Sequence, residues 1–565
     1  MKKGLKAMAI VLATATLLST AATGCSQSKG SSSQAASGGS SASSSKDPMT
    51  LTVWTGMTGN ALSSSNRMAK KIKETFGIDI KTEMLVGDLK TKVGTMVAGG
   101  TYSDLLQYNE AFVKANAMIP LEKYLTSDDY PNLKSHYGPY LNKMADPNHG
   151  GHVYYMPNWN VNIGDKPNYF PNGTAFWIQK AVLKEAGWPK IKTPEEYFKV
   201  IEDYVKKNPT VNGKPTIGFE ILADRNKMYS LYNAPEFLAG YPNDGGVIVD
   251  KSGDTYKADI FFDKETSKNY FNLLNQEYLK GIVDKEAFTE NFDQYISKIA
   301  NGQVCGLNDQ EWSFATGVDS LNSKKDYWHT YVGLPLTWNS SIQDQYIDRP
   351  DASINLLNGY GVSTSCKDPD RVMHFLDTFL SKDWQVLNQW GVKGTDYEVD
   401  AKGKFYRTEA QREAQKDPNW AWNNTAKAFS DNAPKLEGTY PDGNATSASL
   451  QLSEWQSALT DVDKEVLKAY NATSWQDFYT APKQQPLYYP CWQISVPTGS
   501  AAAMEQTKLD DLALEHLPQC VMAASGGFDT AWTSYVNAIH SSNVDAYLKV
   551  ENEGIQYRLK NWGSK

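Results

Sequence analysis

The sequence predicts an α/β protein with at least two lobes. Of its 565 residues, a body of about 520 follows Asp47, which is more than one ordinary domain holds. The first segments of this body alternate between strand-type and helix-type patterns in the order βαβαβ. That order is typical of a mainly parallel sheet covered by helices.

Each element of this first unit has its own signal. Short runs rich in β-branched and apolar residues predict strands over 51–54, 78–85 and 103–107. Helical spacing predicts helices over 62–76 and 88–98, which glycines bring to an end. In parallel sheets ligands lie beyond the carboxyl ends of the strands, so Trp54 and residues 108–110 are candidates for a binding site.

A second unit begins near Thr174, and its first predicted element is a helix over 176–186. Thr193, followed by Pro194 and Glu196, has the pattern of a capping box that starts a helix reaching about residue 207. Later signals predict a strand over 303–307, a helix that starts at Asp368–Pro369, and a core-facing helix that carries Trp532, Tyr535, Val536 and Ile539.

The amino terminus has the pattern of an export signal. Three lysines within the first six residues precede an apolar run over 7–18, and small residues then lead to Cys25. The segment resembles a bacterial lipobox, although Ala22 replaces the usual leucine. We expect a signal peptide over 1–24, a lipidated Cys25 and a disordered serine-rich tether over 25–47. The alternative is a secreted form without a lipid.

Composition narrows the choice of ligand. The formal charge is −8 and the mean hydropathy is −0.52. An acidic chain without a basic run is a poor candidate for binding nucleic acid. The 16 tryptophans and 32 tyrosines suit carbohydrates, which present apolar C–H faces ringed by hydroxyls. No close pair of cysteines has zinc-like spacing, so we expect free thiols and no metal centre.

Four stretches in order resemble the family-1 extracellular solute-binding proteins of ABC importers, in particular the long oligosaccharide-binding lipoproteins of Gram-positive bacteria. They are Met96–Leu106, with the sequence MVAGGTYSDLL; Phe176–Pro189, with FWIQKAVLKEAGWP; Trp390–Tyr397, with WGVKGTDY; and Trp532–Arg558. Each stretch alone is a weak motif, and the evidence is that all four occur in order. Together they span nearly the whole body.

The resemblance implies a two-lobe, type II periplasmic-binding-protein-like fold, with lobes joined by a hinge around a ligand cleft. It places the first lobe at 48–170 and about 350–400, and the second at 171–345 and about 450–565. It implies a monomer on the extracellular face of the membrane that captures an oligosaccharide of plant origin. The protein would pass this ligand to the permease subunits of an ABC transporter, without a cofactor and without catalysis.

The sequence departs from the family pattern at two places. The long subgroup often has a calcium loop, but the matching stretch, 208–216, contains no carboxylate, so we expect no calcium there. Gln179 and Ala181 stand where many members have arginine and aspartate.

The candidate ligand-binding residues combine aromatic rings with amides and carboxylates. Trp312 is the strongest candidate. Asp309 and Glu311 beside it could bind the hydroxyls of a sugar while the indole stacks on the face of the sugar ring. The other candidates are Trp54, Asn109, Glu110, Tyr155, Trp159 and Trp177, with Trp338, Trp422 and Trp492 as further positions. For each aromatic residue, core packing is the alternative. The alternative function is a cell-surface glycoside hydrolase, which needs a pair of carboxylates at a defined separation.

Overall fold

The computed structural model describes residues 47–347, 354–417 and 419–563. The predicted signal peptide, Cys25 and nearly all of the tether therefore lie outside the described residues. Within the described ranges, no helix combines the length and the apolar character that crossing a bilayer requires.

The strands are β1 (Met49–Trp54), β2 (Ile78–Glu83), β3 (Leu105–Gln107), β4 (Asn162–Ile163), β5 (Thr174–Gln179), β6 (Thr210–Val211), β7 (Lys214–Pro215), β8 (Ile217–Glu220), β9 (Ile248–Ser252), β10 (Thr255–Asp259), β11 (Val304–Gln310), β12 (Tyr331–Leu334), β13 (Tyr360–Val362), β14 (Glu398–Val399), β15 (Phe405–Tyr406) and β16 (Glu437–Gly438).

The helices are α1 (Arg67–Phe76), α2 (Leu89–Gly99), α3 (Glu110–Lys114), α4 (Glu122–Thr126), α5 (Pro131–Tyr137), α6 (Leu141–Met144), α7 (Lys180–Glu185), α8 (Pro194–Lys207), α9 (Tyr229–Tyr232), α10 (Ala234–Leu238), α11 (Glu265–Leu279), α12 (Phe292–Ala300), α13 (Glu311–Ser323), α14 (Pro369–Phe379), α15 (Lys382–Gln389), α16 (Glu409–Ala414), α17 (Trp420–Asn424), α18 (Lys427–Ser430), α19 (Leu452–Ala458), α20 (Asp461–Ala469), α21 (Ala501–Val521), α22 (Phe528–His540) and α23 (Val544–Asn561).

The first sheet has the strand order β13-β3-β1-β2. Strand β1 pairs in parallel with both β2 and β3, whereas β13 runs antiparallel to β3. This confirms the βαβαβ order and the mainly parallel sheet that the sequence predicts. Helix α2 begins within one residue of its predicted start, whereas α1 begins at Arg67, five residues after its predicted start at residue 62. The side chains of Asn66 and Asp88 cap α1 and α2, and the glycines after these helices, Gly77 and Gly100, adopt positive φ angles.

The second sheet has the strand order β12-β5-β11-β8, with β5 antiparallel to both of its neighbours. Strand β5 corrects the predicted helix over 176–186, because residues 174–179 form a strand and only 180–185 are helical. All six residues of β5 are buried in the middle of the sheet. A continuous apolar run of this length has the same periodicity in a buried strand as in a buried helix, which explains the wrong prediction.

Two large hydrophobic cores define two lobes. The core on the first sheet draws on residues between 51 and 161 and between 354 and 433. The core on the second sheet draws on residues between 176 and 346 and between 466 and 555. The chain therefore passes between the two cores three times. The capping box at Thr193 starts α8 as predicted, and the buried faces of α14 and α22 belong to these cores as predicted.

The connections join corresponding edges of the two sheets. Tyr360, which opens β13, pairs with Gln107 at the carboxyl end of β3. Thr174, which opens β5, pairs with Gln310 at the carboxyl end of β11. The chain therefore enters both sheets at the edge that carries the ends of the parallel strands. This is the geometry of a cleft between lobes.

Candidate functional site

Trp312 is an exposed aromatic residue at the carboxyl edge of the second sheet. It lies in the first turn of α13, directly after β11, and 54% of its surface is accessible. The Tyr229 ring lies 5.4 Å from the indole, and the Lys227 ammonium lies 5.6 Å from the indole centre. These three residues, which we call the Trp312 surface, present a flat apolar ring beside a hydroxyl and a cation.

The two carboxylates beside Trp312 differ in how deeply they are buried. Asp309 is only 1% exposed, and its oxygens accept hydrogen bonds from the Tyr295 hydroxyl at 2.9 Å and the Gln310 amide at 2.7 Å. Burial raises the pKa of Asp309 to about 7. Because β11 is buried along its whole length, Asp309 supports the site from within and is not open to a ligand.

Glu311 is half-buried at the first position of α13. Burial, with a smaller contribution from Asp319, raises the pKa of its carboxyl to about 7. A helix amino terminus normally favours the carboxylate. At Glu311 burial acts in the opposite direction.

Trp54 and Trp177 belong to the cores. Trp54 has no accessible surface and packs with Leu106 and Phe112. Trp177 is 2% exposed, and its indole N–H donates to the Asp309 carbonyl at 2.8 Å. Neither ring has a face open to a sugar, which corrects their prediction as cleft aromatics. The physical reason is that both lie on strands inside their sheets, where helices cover the side chains.

Asn109, Glu110 and Tyr155 lie together at the carboxyl end of β3. The Asn109 side chain caps α3 by accepting from Ala111, and the Tyr155 hydroxyl donates to the Asn109 carbonyl at 3.1 Å. The Glu110 carboxylate accepts from the hydroxyl of Thr498, which precedes α21, at 2.9 Å. Glu110 therefore connects the first lobe to the second.

The remaining tryptophan candidates lie in varied surroundings. Trp159 is 46% exposed, with the Lys435 ammonium 3.9 Å from its ring centre. Trp422 lies close to Gly59, in the loop after β1, so it stands near the carboxyl edge of the first sheet. Trp338 donates to the Thr266 hydroxyl at 2.8 Å, and Trp492 is exposed beside Gly245.

A cavity of 430 Å³ lies between the two lobes. Tyr108, Glu110 and Tyr155 contribute its wall on the first lobe, and α23 together with residues 493–497 contributes the opposite wall. We call it the interlobe cavity. Of the predicted residues, Glu110 and Tyr155 are brought together here, whereas Glu311 and Trp312 lie at the end of β11.

The stretch matching the calcium loop forms a hairpin, β6–β7, in which Asn212 donates to the Asn301 carbonyl at 3.1 Å. Among the described residues, Glu220, Asp284 and Glu290 bring three carboxylates within metal-binding distance of one another. The Lys298 ammonium contacts all three of them, so a side-chain cation already occupies their centre.

Sequence reasoning missed Lys227 and Tyr229, which follow β8. Residues 108–110 were selected because ligands lie beyond the carboxyl ends of parallel strands. The same rule would have selected Lys227 and Tyr229 if the short strand β8 had been predicted. The cavity residues on α23 and at 493–497 carried no sequence signal, because they meet the first lobe only through the tertiary fold.

Residues 67–395 match the model of the family described as bacterial extracellular solute-binding protein, and the chain belongs to this family. A curated relative is the fructooligosaccharide ABC transporter substrate-binding protein FusA of Streptococcus pneumoniae serotype 4. It is 24% identical over 340 residues, which are 58% of this chain and 60% of the relative's own length. The name of this relative describes a substrate-binding protein.

Solved structures share the two-lobe fold. FusA of S. pneumoniae in complex with kestose has a TM-score of 0.62 at 17% identity, covering 91% of this chain and 100% of FusA. An HMO-binding solute-binding protein from Bifidobacterium longum infantis has a TM-score of 0.62 at 16% identity, covering 90% of this chain and 99% of its own. At these identities the likeness establishes the fold alone.

Proposed function

We propose that this protein is a membrane-anchored extracellular solute-binding protein that captures an oligosaccharide and delivers it to the permease of an ABC importer. The observation that carries the proposal is the Trp312 surface, an accessible indole at the carboxyl end of β11, the edge at which the chain enters the second sheet. Family membership and the carbohydrate ligands named for FusA and the HMO-binding protein support the same class of ligand.

The chemistry of the Trp312 surface suits a sugar ring. An indole face packs against the apolar C–H face of a pyranose or furanose, while Lys227 and Tyr229 can bond to its hydroxyls. Glu311 adds a carboxyl group that accepts hydrogen bonds as a carboxylate and donates one when protonated. A ligand that touches this surface and the first lobe together favours the closed arrangement of the lobes.

Calorimetry with a panel of neutral oligosaccharides tests the proposal. The panel contains fructo-, xylo-, manno- and galacto-oligosaccharides of two to five units, with an oligouronate for comparison. We expect at least one neutral member to bind, and at 100 times its Kd to add about 2.7 kcal/mol to the unfolding free energy. Absence of binding across the neutral panel would contradict the proposal.

The same samples distinguish a binder from a glycoside hydrolase. After incubation with the tightest ligand, chromatography should recover the oligosaccharide at its original length. Release of shorter sugars in proportion to protein concentration would favour the enzyme.

A further inference from the structure

A buried cluster of charged side chains lies at the carboxyl end of β8. The Lys298 ammonium of α12 lies 3.5 Å from the Glu220 carboxylate and 2.5 Å from that of Asp284, and it also contacts the Glu290 carboxylate. The side chains of Glu220 and Glu290 have no more than 1% of their surface accessible. We call these four residues the Lys298 cluster.

Three carboxyl groups share a single ammonium in this cluster. If all three were ionised, two buried negative charges would lack a cation, which is strongly unfavourable. Carboxylates this close to one another do not all ionise together, so the cluster keeps protons. The charges balance when Glu220 and Glu290 are both protonated, because Asp284 is then the single anion beside Lys298. This balance follows from the contacts and the burial of the four side chains.

Glu220 has a further reason to hold a proton. One of its oxygens accepts from the Ile221 amide at 3.0 Å, while the other is buried without a hydrogen-bond partner among the described residues. A protonated Glu220 can donate to the Asp284 carboxylate, whereas an ionised one cannot. Burial raises the pKa of Glu220 well above its ordinary range. Burial also tends to raise the pKa of Asp284, but hydrogen bonds from Glu220 and Lys298 hold it below its usual value.

Glu290 is the member of the cluster that titrates in weakly acidic solution. Burial raises its pKa to about 6, although Lys298 acts in the opposite direction. Between the ordinary pKa of glutamate and pH 6, the unfolded chain has lost this proton while the folded protein keeps it. Its contribution to stability is therefore complete below this window and is lost as the pH rises through about 6.

Other titratable groups face the cluster from neighbouring elements. Glu286, in the same loop as Glu290, lies 3.5 Å from the ammonium but is 73% exposed. Tyr295 of α12 and Tyr331 of β12 lie within electrostatic reach of the buried glutamates, and burial raises the pKa of both hydroxyls. Tyr295 also donates to Asp309, so a hydrogen bond continues from the cluster toward β11.

The cluster is continuous with the Trp312 surface. Glu290 stands two residues before Phe292, which opens α12, and the Lys227 ammonium lies 4.5 Å from the centre of the Phe292 ring. Glu220 ends β8, and the chain then leads to Lys227 seven residues later. The Lys298 cluster therefore holds the starts of both segments that place Lys227 beside the indole.

We propose that the Lys298 cluster is a pH-sensitive support of the Trp312 surface. In weakly acidic solution Glu220 and Glu290 both keep their protons, and the charges of the cluster balance. As the pH rises, Glu290 loses its proton, and the unbalanced buried charge loosens residues 284–292. Ligand binding at the Trp312 surface then weakens. The proposal rests on the proposed function and deepens it, because it names how that site is regulated.

The test compares the full-length wild type with three variants between pH 5 and pH 8, in buffer with EDTA so that no divalent cation takes part. Glu290→Gln is neutral at every pH and has nearly the shape of the protonated residue. Glu220→Gln keeps a group that can donate to Asp284. Glu286→Gln makes the same change at the exposed position of the loop and serves as the control. Calorimetry measures affinity for the tightest oligosaccharide, and urea denaturation measures the midpoint.

The pH profile isolates the contribution of Glu290. Asp309 and Glu311 also titrate near pH 7 at this surface, so only the part of the profile that Glu290→Gln removes belongs to the cluster. From pH 5 to pH 8 the wild type and the control should lose about fivefold more affinity than Glu290→Gln, the lower end of the usual range for coupled sites. Their midpoints should also fall more steeply than that of Glu290→Gln. Glu220→Gln should keep the wild-type midpoint at pH 7.

Parallel affinity profiles for the wild type and Glu290→Gln would overturn the proposal, whatever their midpoints do. Failure of Glu290→Gln to fold would also overturn it, because its neutral side chain imitates the form that we propose to be stable. A Glu220→Gln protein with a lower midpoint at pH 7 would show that Glu220 is ionised and would contradict the charge balance. These results leave the proposed function standing as long as the wild type binds an oligosaccharide. If the wild type binds no carbohydrate, both proposals fail.

Discussion

Individual aromatic side chains in this protein either pack in the cores or lie exposed at the surface. Trp54 and Trp177 are enclosed by their sheets, whereas Trp159 and Trp312 keep about half of their surface accessible. The exposed pair also differs in its surroundings, because Lys435 covers Trp159 at 3.9 Å while Lys227 lies 5.6 Å from the centre of Trp312. Trp312 therefore has the more open ring for stacking on a ligand.

We predict that Trp312→Ala weakens oligosaccharide binding by more than about 2 kcal/mol, or roughly 30-fold, as expected for a central aromatic contact. Stability should change little, because the side chain makes few core contacts. Calorimetric affinity and the denaturation midpoint are measured on the same variant. Trp328→Ala is the matched control, since Trp328 lies near the start of β12, at the opposite edge of the second sheet. A stability loss of about 3–5 kcal/mol with unchanged affinity would place Trp312 in the core instead.

Glu551 should make stability depend on pH. It is 3% exposed, and burial raises its pKa to about 8, although Tyr547 and Arg558 act in the opposite direction. Between the ordinary pKa of glutamate and pH 8 the unfolded chain has lost this proton while the folded protein keeps it. Raising the pH through this window therefore favours unfolding, by at most about 1.4 kcal/mol per pH unit for one group.

We predict that Glu551→Gln makes the fall in stability between pH 5 and pH 8 shallower by about 1 kcal/mol per pH unit. Urea denaturation at a series of pH values measures this slope. Glu515→Gln, at an exposed site, should keep the wild-type slope. Parallel curves for wild type and Glu551→Gln would contradict the pKa shift.

At the scale of elements, the helix start at Thr193 was predicted correctly, because its capping box is a local pattern. Thr193 accepts from the Glu196 amide, and the Glu196 side chain accepts in return from the Thr193 amide. We predict that Thr193→Ala lowers the unfolding free energy by about 1 kcal/mol, because α8 loses this cap. Thr507→Ala, at an exposed position inside α21, should not lower stability and should raise it by about 0.5 kcal/mol. Equal denaturation midpoints for Thr193→Ala and the wild type would contradict a stabilising role for the cap.

The β6–β7 hairpin leads to a prediction about metals. It contains no carboxylate between 208 and 216, and the three carboxylates of Glu220, Asp284 and Glu290 already form ion pairs with Lys298. We predict that oligosaccharide affinity measured after treatment with EDTA equals the untreated value. A tenfold loss, about 1.4 kcal/mol, restored by calcium would reveal a metal site that supports the cleft.

At the scale of the whole molecule, the membrane attachment that we propose depends on Cys25, which lies outside the described residues. We predict that Cys25→Ser moves the protein from the membrane fraction to the medium, or leaves an unprocessed precursor, because two lipid chains are needed for stable attachment. Cell fractionation and immunoblotting measure this, with Ser26→Ala as the control. Normal processing and retention of the Cys25→Ser variant would contradict the lipobox interpretation.

The sequence by itself determined the α/β class, the mainly parallel first sheet, the capping box at Thr193 and the family. The class, the sheet and the cap depend on local patterns, such as the alternation of strand and helix signals over 51–107. The family was identified from the order of four motifs along the chain. The strand Thr174–Gln179 was missed because a fully buried strand has no period that separates it from a buried helix.

Only the tertiary structure decided which candidate residues face a ligand. Asp309 and Trp312 are three residues apart, yet one is enclosed by Tyr295 and Trp177 while the other is open to solvent. Their difference follows from where β11 ends and α13 begins. The interlobe cavity likewise joins Tyr108 to residues more than 380 positions later in the sequence. Local sequence patterns carry no information on such contacts, because they form only when the two lobes come together.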